Sequence, residues 1–283
     1  MTGQAVTGID HAVVVVADIE AARATYAGLG FQVQPRGLHT RLGTANHLMI
    51  FGDTYFELIG IVEANPLNAE RRAWLERSGG GLANVALRTD GADIAHAAWT
   101  AAGLQPDPVL EFARAVDIAG RQEQAAFRTV RLATQRAKLL GFFACEHRTP
   151  QFVYRPEWAA HDNGVTGLAG ATVIAADPMT DAAYVGKVFG DAAVRREGGD
   201  LVVGRGATSI RYLTRERFQA LYPGIAPHRS DDHPALLSFN VSDTARTAGV
   251  LRAGGIACTA DGDGRVLVPA AAAGGVGIEF RKG

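Results

Sequence analysis

The feature that most constrains this chain is a recurrence. Residues 8–61 read as a strand, a helix and three more strands, and the same order returns three further times. "GIDHAVVVV" at 8–16 is short and β-branched. "DIEAARATYAGLGF" follows, with Asp18 as N-cap and Gly28 or Gly30 as the stop. "FQVQPR", "LGTANHLMIF" and "TYFELIGI" then read as strands separated by Gly, Asp and Thr turns. The second copy opens with "GLANVALRT" and "DGADIAHAAWTAAGL" and continues through "FARAVDI", "AAFRTVRLAT" and "LLGFFACE". The third opens with "LAGATVIAADP" and the helix "MTDAAYVGKVFG", the fourth with "PALLSFNVSD" and "TARTAGVLRAGG". Identity among the copies is low, and what repeats is the pattern. Residues 151–166, "QFVYRPEWAAHDNGVT", break the rhythm. They read as a structured connection, because flexible linkers rarely carry aromatics such as Phe152, Tyr154 and Trp158. The expected division is therefore 1–150, a linker at 151–166, and 167–283.

Bulk properties narrow the function classes. A chain of 283 residues with 47% hydrophobic and 20% charged residues has material for two globular cores. A net charge of −1 provides no basic field for nucleic acid or an anionic membrane. The N-terminal "MTGQAVTGID" lacks the basic and apolar regions of a signal peptide. The longest apolar run, "VLVPAAAAGGVGI", is too short to span a bilayer and contains Pro and Gly. Cys145 and Cys258 are far apart and suggest no disulfide framework, which fits a reducing cytoplasm.

The paired βαβββ pattern, with a His on a first strand and a Glu on a last strand, resembles the vicinal oxygen chelate superfamily. "GIDHAVVVVADIEAARATYAGLGFQV" is similar to the opening of its glyoxalase-like domains. "LHTRLGTANHLMIFGDTYFELIGI" resembles a subfamily pattern of His, Gly-Thr-x-Asn and Tyr-x-Glu-Leu, and "EHRTPQFVYRPEWAAHDNG" resembles a stretch of bacterial members. The close resemblance covers roughly the first 165 residues. It implies an α+β fold in which four βαβββ units pair into two glyoxalase-like domains, each a curved sheet around a cavity. The superfamily also includes the bleomycin resistance proteins and the extradiol dioxygenases.

Two residues then stand out. Glu57 is a lone carboxylate in an apolar strand, and His11 is a lone imidazole in another. Burying either unpaired is costly, so they are expected to face one cavity. Alternation places Ile9, His11, Val13 and Val15 on one face of the strand. In the family these two positions supply metal ligands, and His with carboxylate suits Fe, Mn, Ni, Co or Zn. A metal-free cavity in which His11 hydrogen-bonds Glu57 is the competing reading. The third ligand stays open among Asn84, Glu146 and His147: Asn84 takes the His position of the second copy, and Glu146 and His147 end its last strand. By the same resemblance His39 and Asn46 belong to the cavity, and with Asn84 and His147 they are candidate substrate-binding residues. The second half lacks this equipment. Gly170 and Leu236 or Leu237 replace the His, Arg211 replaces the first Glu, and only Glu279 is ligand-like. No metal is expected there, which departs from the ring-cleaving dioxygenases, whose iron lies in the second domain.

The leading expectation is an enzyme acting on a small oxygen-chelating substrate, as a lyase, an isomerase or a dioxygenase. A divalent metal on His11 and Glu57 would act as Lewis acid, or Glu57 as general base without one. The alternatives are a metal-free small-molecule binding or antibiotic-sequestering protein, and an interaction protein with a vestigial site. The expected partner is a small molecule, with neither nucleic acid nor membrane, and a homodimer is a candidate assembly.

Overall fold

The computed structural model describes residues 4–132 and 139–283. The first unit contains β1 (Gly8–Val16), α1 (Ile19–Gly28), β2 (Gly37–His39), β3 (Thr44–Ile50) and β4 (Tyr55–Ile61). A helix, α2 (Ala69–Ser78), leads into the second unit: β5 (Gly81–Arg88), α3 (Ala92–Ala101), β6 (Leu110–Ile118), β7 (Arg121–Arg131) and β8 (Gly141–His147). The third has β9 (Val165–Ile174), α4 (Ala182–Phe189), β10 (Val194–Glu197), β11 (Asp200–Val203) and β12 (Ser209–Leu213). After α5 (Arg215–Leu221), the fourth has β13 (His233–Val241), α6 (Thr244–Ala253), β14 (Thr259–Ala260), β15 (Val266–Val268) and β16 (Gly277–Lys282).

The units pair as expected into two eight-stranded sheets, ordered β2-β3-β4-β1-β5-β8-β7-β6 and β10-β11-β12-β9-β13-β16-β15-β14. Each sheet is closed at its centre by an antiparallel pair of first strands, β1 with β5 and β9 with β13. Each first strand lies parallel to the last strand of its own unit. This is the α+β arrangement of two glyoxalase-like domains.

Local sequence accounts for most elements. Asp18 caps α1 by accepting from the backbone N–H of Glu20 and Ala21, and Asp243 caps α6 in the same way. Ala22, Tyr26 and Leu29 in and just after α1, with Ala95 and Trp99 of α3, face one continuous core. Val185 and Phe189 of α4 and Ala248 and Leu251 of α6 enter that same core. The helices of both halves therefore form a shared layer between the two sheets. Tyr26 Oη donates to Ala273 O at 3.0 Å, and Trp99 Nε1 to Val188 O at 3.0 Å, so polar atoms buried in the layer are satisfied across it.

Three features differ from the sequence reading. The stretch "FQVQPR" is not a strand: Gln34 N bonds Leu48 O, but Pro35 has no N–H to continue, and pairing resumes at Gly37. The expected strand at 125–134 ends at Arg131, and residues 133–134 lie outside the described residues. Helices α2 and α5 lie outside the expected pattern, because "AERRAWLERS" and "RERFQAL" are rich in charge and carry few apolar residues to mark a buried face. The sequence between the halves packs on the first: Phe152, Tyr154 and Trp158 rest on its core, and His161 bonds Gln32 N and Ile50 O.

The two extra helices decide which sheet keeps a cavity. In the second half Phe218 of α5, with Tyr222 and Ile225, fills the space above Leu213, Leu236 and Leu267. In the first half Trp74 and Leu75 of α2 cover only Val13, Val15, Ile59 and Ala83. The end of β1 that carries His11 is left facing a cavity.

Candidate active site

A β-bulge sets up this site. Ile9 pairs with Leu87 and His11 with Ala86, so Asp10 is an extra residue in β1. Ile9 consequently packs in the helix-side core with Ala12 and Val14, not on the face of Val13 and Val15 as alternation implied. The bulge lets adjacent side chains meet, and Asp10 Oδ1 lies 2.6 Å from His11 Nδ1.

Asp10 is fully buried and has several donors around it. His147 Nε2 is 3.1 Å from Oδ1, and Tyr154 Oη donates to Oδ2 at 2.7 Å. Burial by itself would raise this carboxyl, but His147 and His11 hold it well below the ordinary carboxylate range. An ionised carboxylate only accepts, so His11 Nδ1 is the donor to it, and Nε2 is the nitrogen left to face the cavity. The ring is stacked on Tyr55, with centroids 4.0 Å apart, and meets the edge of Phe143 at 5.5 Å. Nε2 points at Glu57, whose Oε2 is 3.6 Å away, and Tyr55 Oη is 3.3 Å from it.

Glu57 is fixed from its other side, where Asn46 Nδ2 donates to Oε1 at 2.6 Å. His39 stands next, 3.4 Å from Asn46 and 3.1 Å from Thr44 Oγ1. Burial, with the nearby Arg114 and Arg71 guanidiniums, outweighs Glu57 and depresses the His39 imidazole to about 4, so it is neutral. His11, Glu57, His39 and Asn46 thus line one cavity, together with Tyr55 and Cys145. Burial holds the Cys145 thiol well above its usual range, which keeps it protonated.

The structure places the other candidates elsewhere. Asn84 sits opposite Val13, two residues up the strand from His11, and lines a separate small recess beside Trp74. Glu146 accepts from Ala92 N and pairs with Arg128 and Arg148. His147 lies behind His11, against Asp10, rather than in the cavity. Strand register explains the gap. Glu57 lies opposite Val13, two residues beyond His11; the matching residue of the second unit, opposite Ala86 and two beyond Asn84, is Phe143. The same position is Arg211 in the third unit and Glu279 in the fourth. Arg211 is paired with Asp200 and Glu197, and Glu279 with Ser238 and Arg265.

For a metal, the donor set gives a mixed answer. His11 Nε2 and Glu57 Oε2 fit two ligand positions, and Asp10 is the carboxylate that commonly stands behind a ligating histidine. The second unit contributes an amide turned elsewhere and a phenyl ring, so the rest of an ion's shell would be open. Among the described residues, Asp10, His11 and His147 also place ligand atoms within 4.8 Å of one another. There, however, Asp10 already receives both imidazoles and the Tyr154 hydroxyl.

Comparisons with known proteins agree with this fold. A family model described as a glyoxalase-like domain matches residues 9–187, more than half of the chain. The chain belongs to this glyoxalase-like family. A hypothetical protein from Staphylococcus aureus has a similar solved structure, with a TM-score of 0.68 at 12% identity over 97% of this chain and 98% of that one. A xylose isomerase-like TIM barrel/4-hydroxyphenylpyruvate dioxygenase fusion protein is similar with a TM-score of 0.60 at 13% identity, over 99% of this chain and 50% of that one. At such identities the likeness concerns the fold alone. No curated protein matches the sequence. Among the described residues of this family member, no helix is long and apolar enough to cross a membrane.

Proposed function

We propose that the protein is a glyoxalase-like enzyme that moves a proton on a small oxygen-chelating substrate, using His11 and Glu57. The observation carrying this reading is the buried Asp10–His11 couple, which aims Nε2 into the cavity 3.6 Å from Glu57 Oε2. A carbon acid adjacent to a carbonyl, seated there, presents its proton to two acceptors. His11 Nε2 takes it, being the ring nitrogen turned to the cavity while Nδ1 is held by Asp10. Asp10 and Glu57 then flank the imidazolium with negative charge, and Tyr55 Oη hydrogen-bonds the developing enolate oxygen. Glu57, held by Asn46, is the alternative base. Return of the proton to a different atom or face gives isomerase chemistry, and expulsion of a leaving group β to the carbonyl by the enolate, with a proton delivered to that group, gives lyase chemistry. A protein that only sequesters a ligand has no need of a buried carboxylate that sets an imidazole tautomer.

A divalent ion, Fe, Mn, Ni, Co or Zn, would be held by the same two atoms, His11 Nε2 and Glu57 Oε2. It would supply Lewis-acid stabilisation of an oxyanion. In that case Asp10 still fixes the ring and Asn46 still orients Glu57.

The test is wash-in of solvent deuterium beside the carbonyl of a panel of 2-oxo acids and 1,3-dicarbonyls, followed by NMR with elemental analysis of the same samples. Wild type should catalyse exchange on at least one compound. His11→Ala should lose on the order of 10²–10⁴-fold, Asp10→Asn should lose activity through the wrong tautomer, and Glu57→Gln should separate a base from a bystander. Stoichiometric metal in wild type that His11→Ala removes selects the metal-holding form. Exchange that survives His11→Ala and Glu57→Gln would sink the proposal.

A further inference from the structure

The cavity carries a charge imbalance that proton transfer does not use. Its lining contains three guanidiniums, Arg71, Arg114 and Arg131, against one carboxylate, Glu57. Arg131 is satisfied by Leu67 O and by Glu70. Arg114 and Arg71 have no hydrogen bond or ion pair among the described residues. Arg114 is 6% exposed, and Arg71 Nε is buried without a partner. Both lie within Coulombic reach of Glu57, so they stand close to the reacting centre. Burial lowers both guanidiniums, Arg71 to about 10, and an arginine side chain stays charged near neutral pH. Two guanidiniums set against the single carboxylate of Glu57 leave positive charge uncompensated in a buried place, which is costly for a fold to retain.

The surroundings make room for these groups. Arg114 lies on the inward face of β6, between Phe112 and Val116. Gly37 of β2 lies opposite: a Cβ there would come within 2.4 Å of Asn46 Oδ1 and 3.3 Å of Arg114 Nη1. Asn46 Oδ1 is itself buried without a donor. A side chain at 37 would displace the amide that holds Glu57 and crowd the guanidinium. Leu48, Phe112, Phe127 and Phe143 give the cavity apolar walls.

We infer that the missing counterion is the substrate: a small organic acid whose carboxylate is clamped by Arg114 and Arg71 and whose apolar or aromatic body lies against Phe112 and Phe127. This deepens, and rests on, the reading of His11 and Glu57 as the reacting pair. A guanidinium fork matches a planar carboxylate, and both guanidiniums line the same cavity as Glu57 and His11. Binding also brings in negative charge to offset the guanidiniums that Glu57 alone does not balance.

Calorimetric titration of the whole chain with phenylpyruvate, 2-oxohexanoate and benzoate, their methyl esters, and inorganic phosphate tests this. At least one acid should bind, with its ester at least 10-fold weaker. Arg114→Met and Arg71→Gln should each weaken the acid at least 10-fold and leave the ester unchanged. Unliganded Arg114→Met should melt no lower than wild type, because it removes an uncompensated charge; should that variant fail to fold, Arg71→Gln carries the test. The inference is overturned if none of the acids binds, if acid and ester bind alike, or if both variants bind the acid as wild type does. Phosphate binding as tightly as the best acid also overturns it, in favour of a simple oxyanion site. Heat of binding needs no turnover, so a protein that binds acids but exchanges no deuterium loses the proton-transfer reading and keeps this one.

Discussion

At the scale of single residues, burial of neutral His39 makes a pH prediction. Its folded value lies near 4 against an ordinary 6.5. The unfolded chain therefore binds a proton between those values that the folded chain refuses. The stability this represents is present above pH 6.5 and is lost as pH falls toward 4, about 3 kcal/mol across the window. Urea unfolding of wild type and His39→Gln at pH 7.5 and 4.5 measures it, with the variant expected to lose less. Equal losses would show that His39 is not the group responsible. Which site residues could be read from the sequence follows a similar logic of isolation. His11 and Glu57 stand out because each interrupts an apolar strand, and Asn46 and His39 because of their motif. Asp10 was hidden, since strict alternation sends it to the far side of β1 and only the bulge brings it to His11. Arg114 left a faint trace, an arginine sharing a face with Phe112 and Val116. Arg71 left none, being one charge in a charged helix.

At the scale of elements, the succession of strands and helices along the four units was legible because the pattern repeats and Asp or Gly marks helix ends. The helices α2 and α5 were not, since their meaning lies in what they cover. The sequence does show the loss of a His at position 170, but not why a single change cannot restore it. Gly170 in β9 has φ 154°, and a Cβ there would lie 2.0 Å from Ser209 O, a backbone atom of the paired strand β12. Gly170→Ala should therefore cost about 2–4 kcal/mol, at the upper end of single substitutions, and Gly170→His should create no metal site. Chemical unfolding and metal analysis of the two variants check this. A well-folded Gly170→His that takes up metal would contradict it.

At the scale of the whole molecule, the helix layer joins two sheets of unequal purpose. One keeps a cavity, and the other has filled its own with Phe218 and Tyr222. Because Tyr26 and Trp99 find their hydrogen-bond acceptors in the other half, neither half should unfold alone. Far-UV circular dichroism and tryptophan fluorescence should report one coincident thermal transition, and two separated steps would show the halves to be independent. The Trp99 bond to Val188 has a consequence for how the protein behaves when scarce. A site braced by a separate subunit is weakened by dilution, because the brace dissociates. Here the brace is carried on the same chain, and its effective concentration is set by the tether rather than by the cell. Specific activity and melting temperature should stay flat from micromolar to nanomolar protein, so that a few copies per cell work as well, each for each, as many.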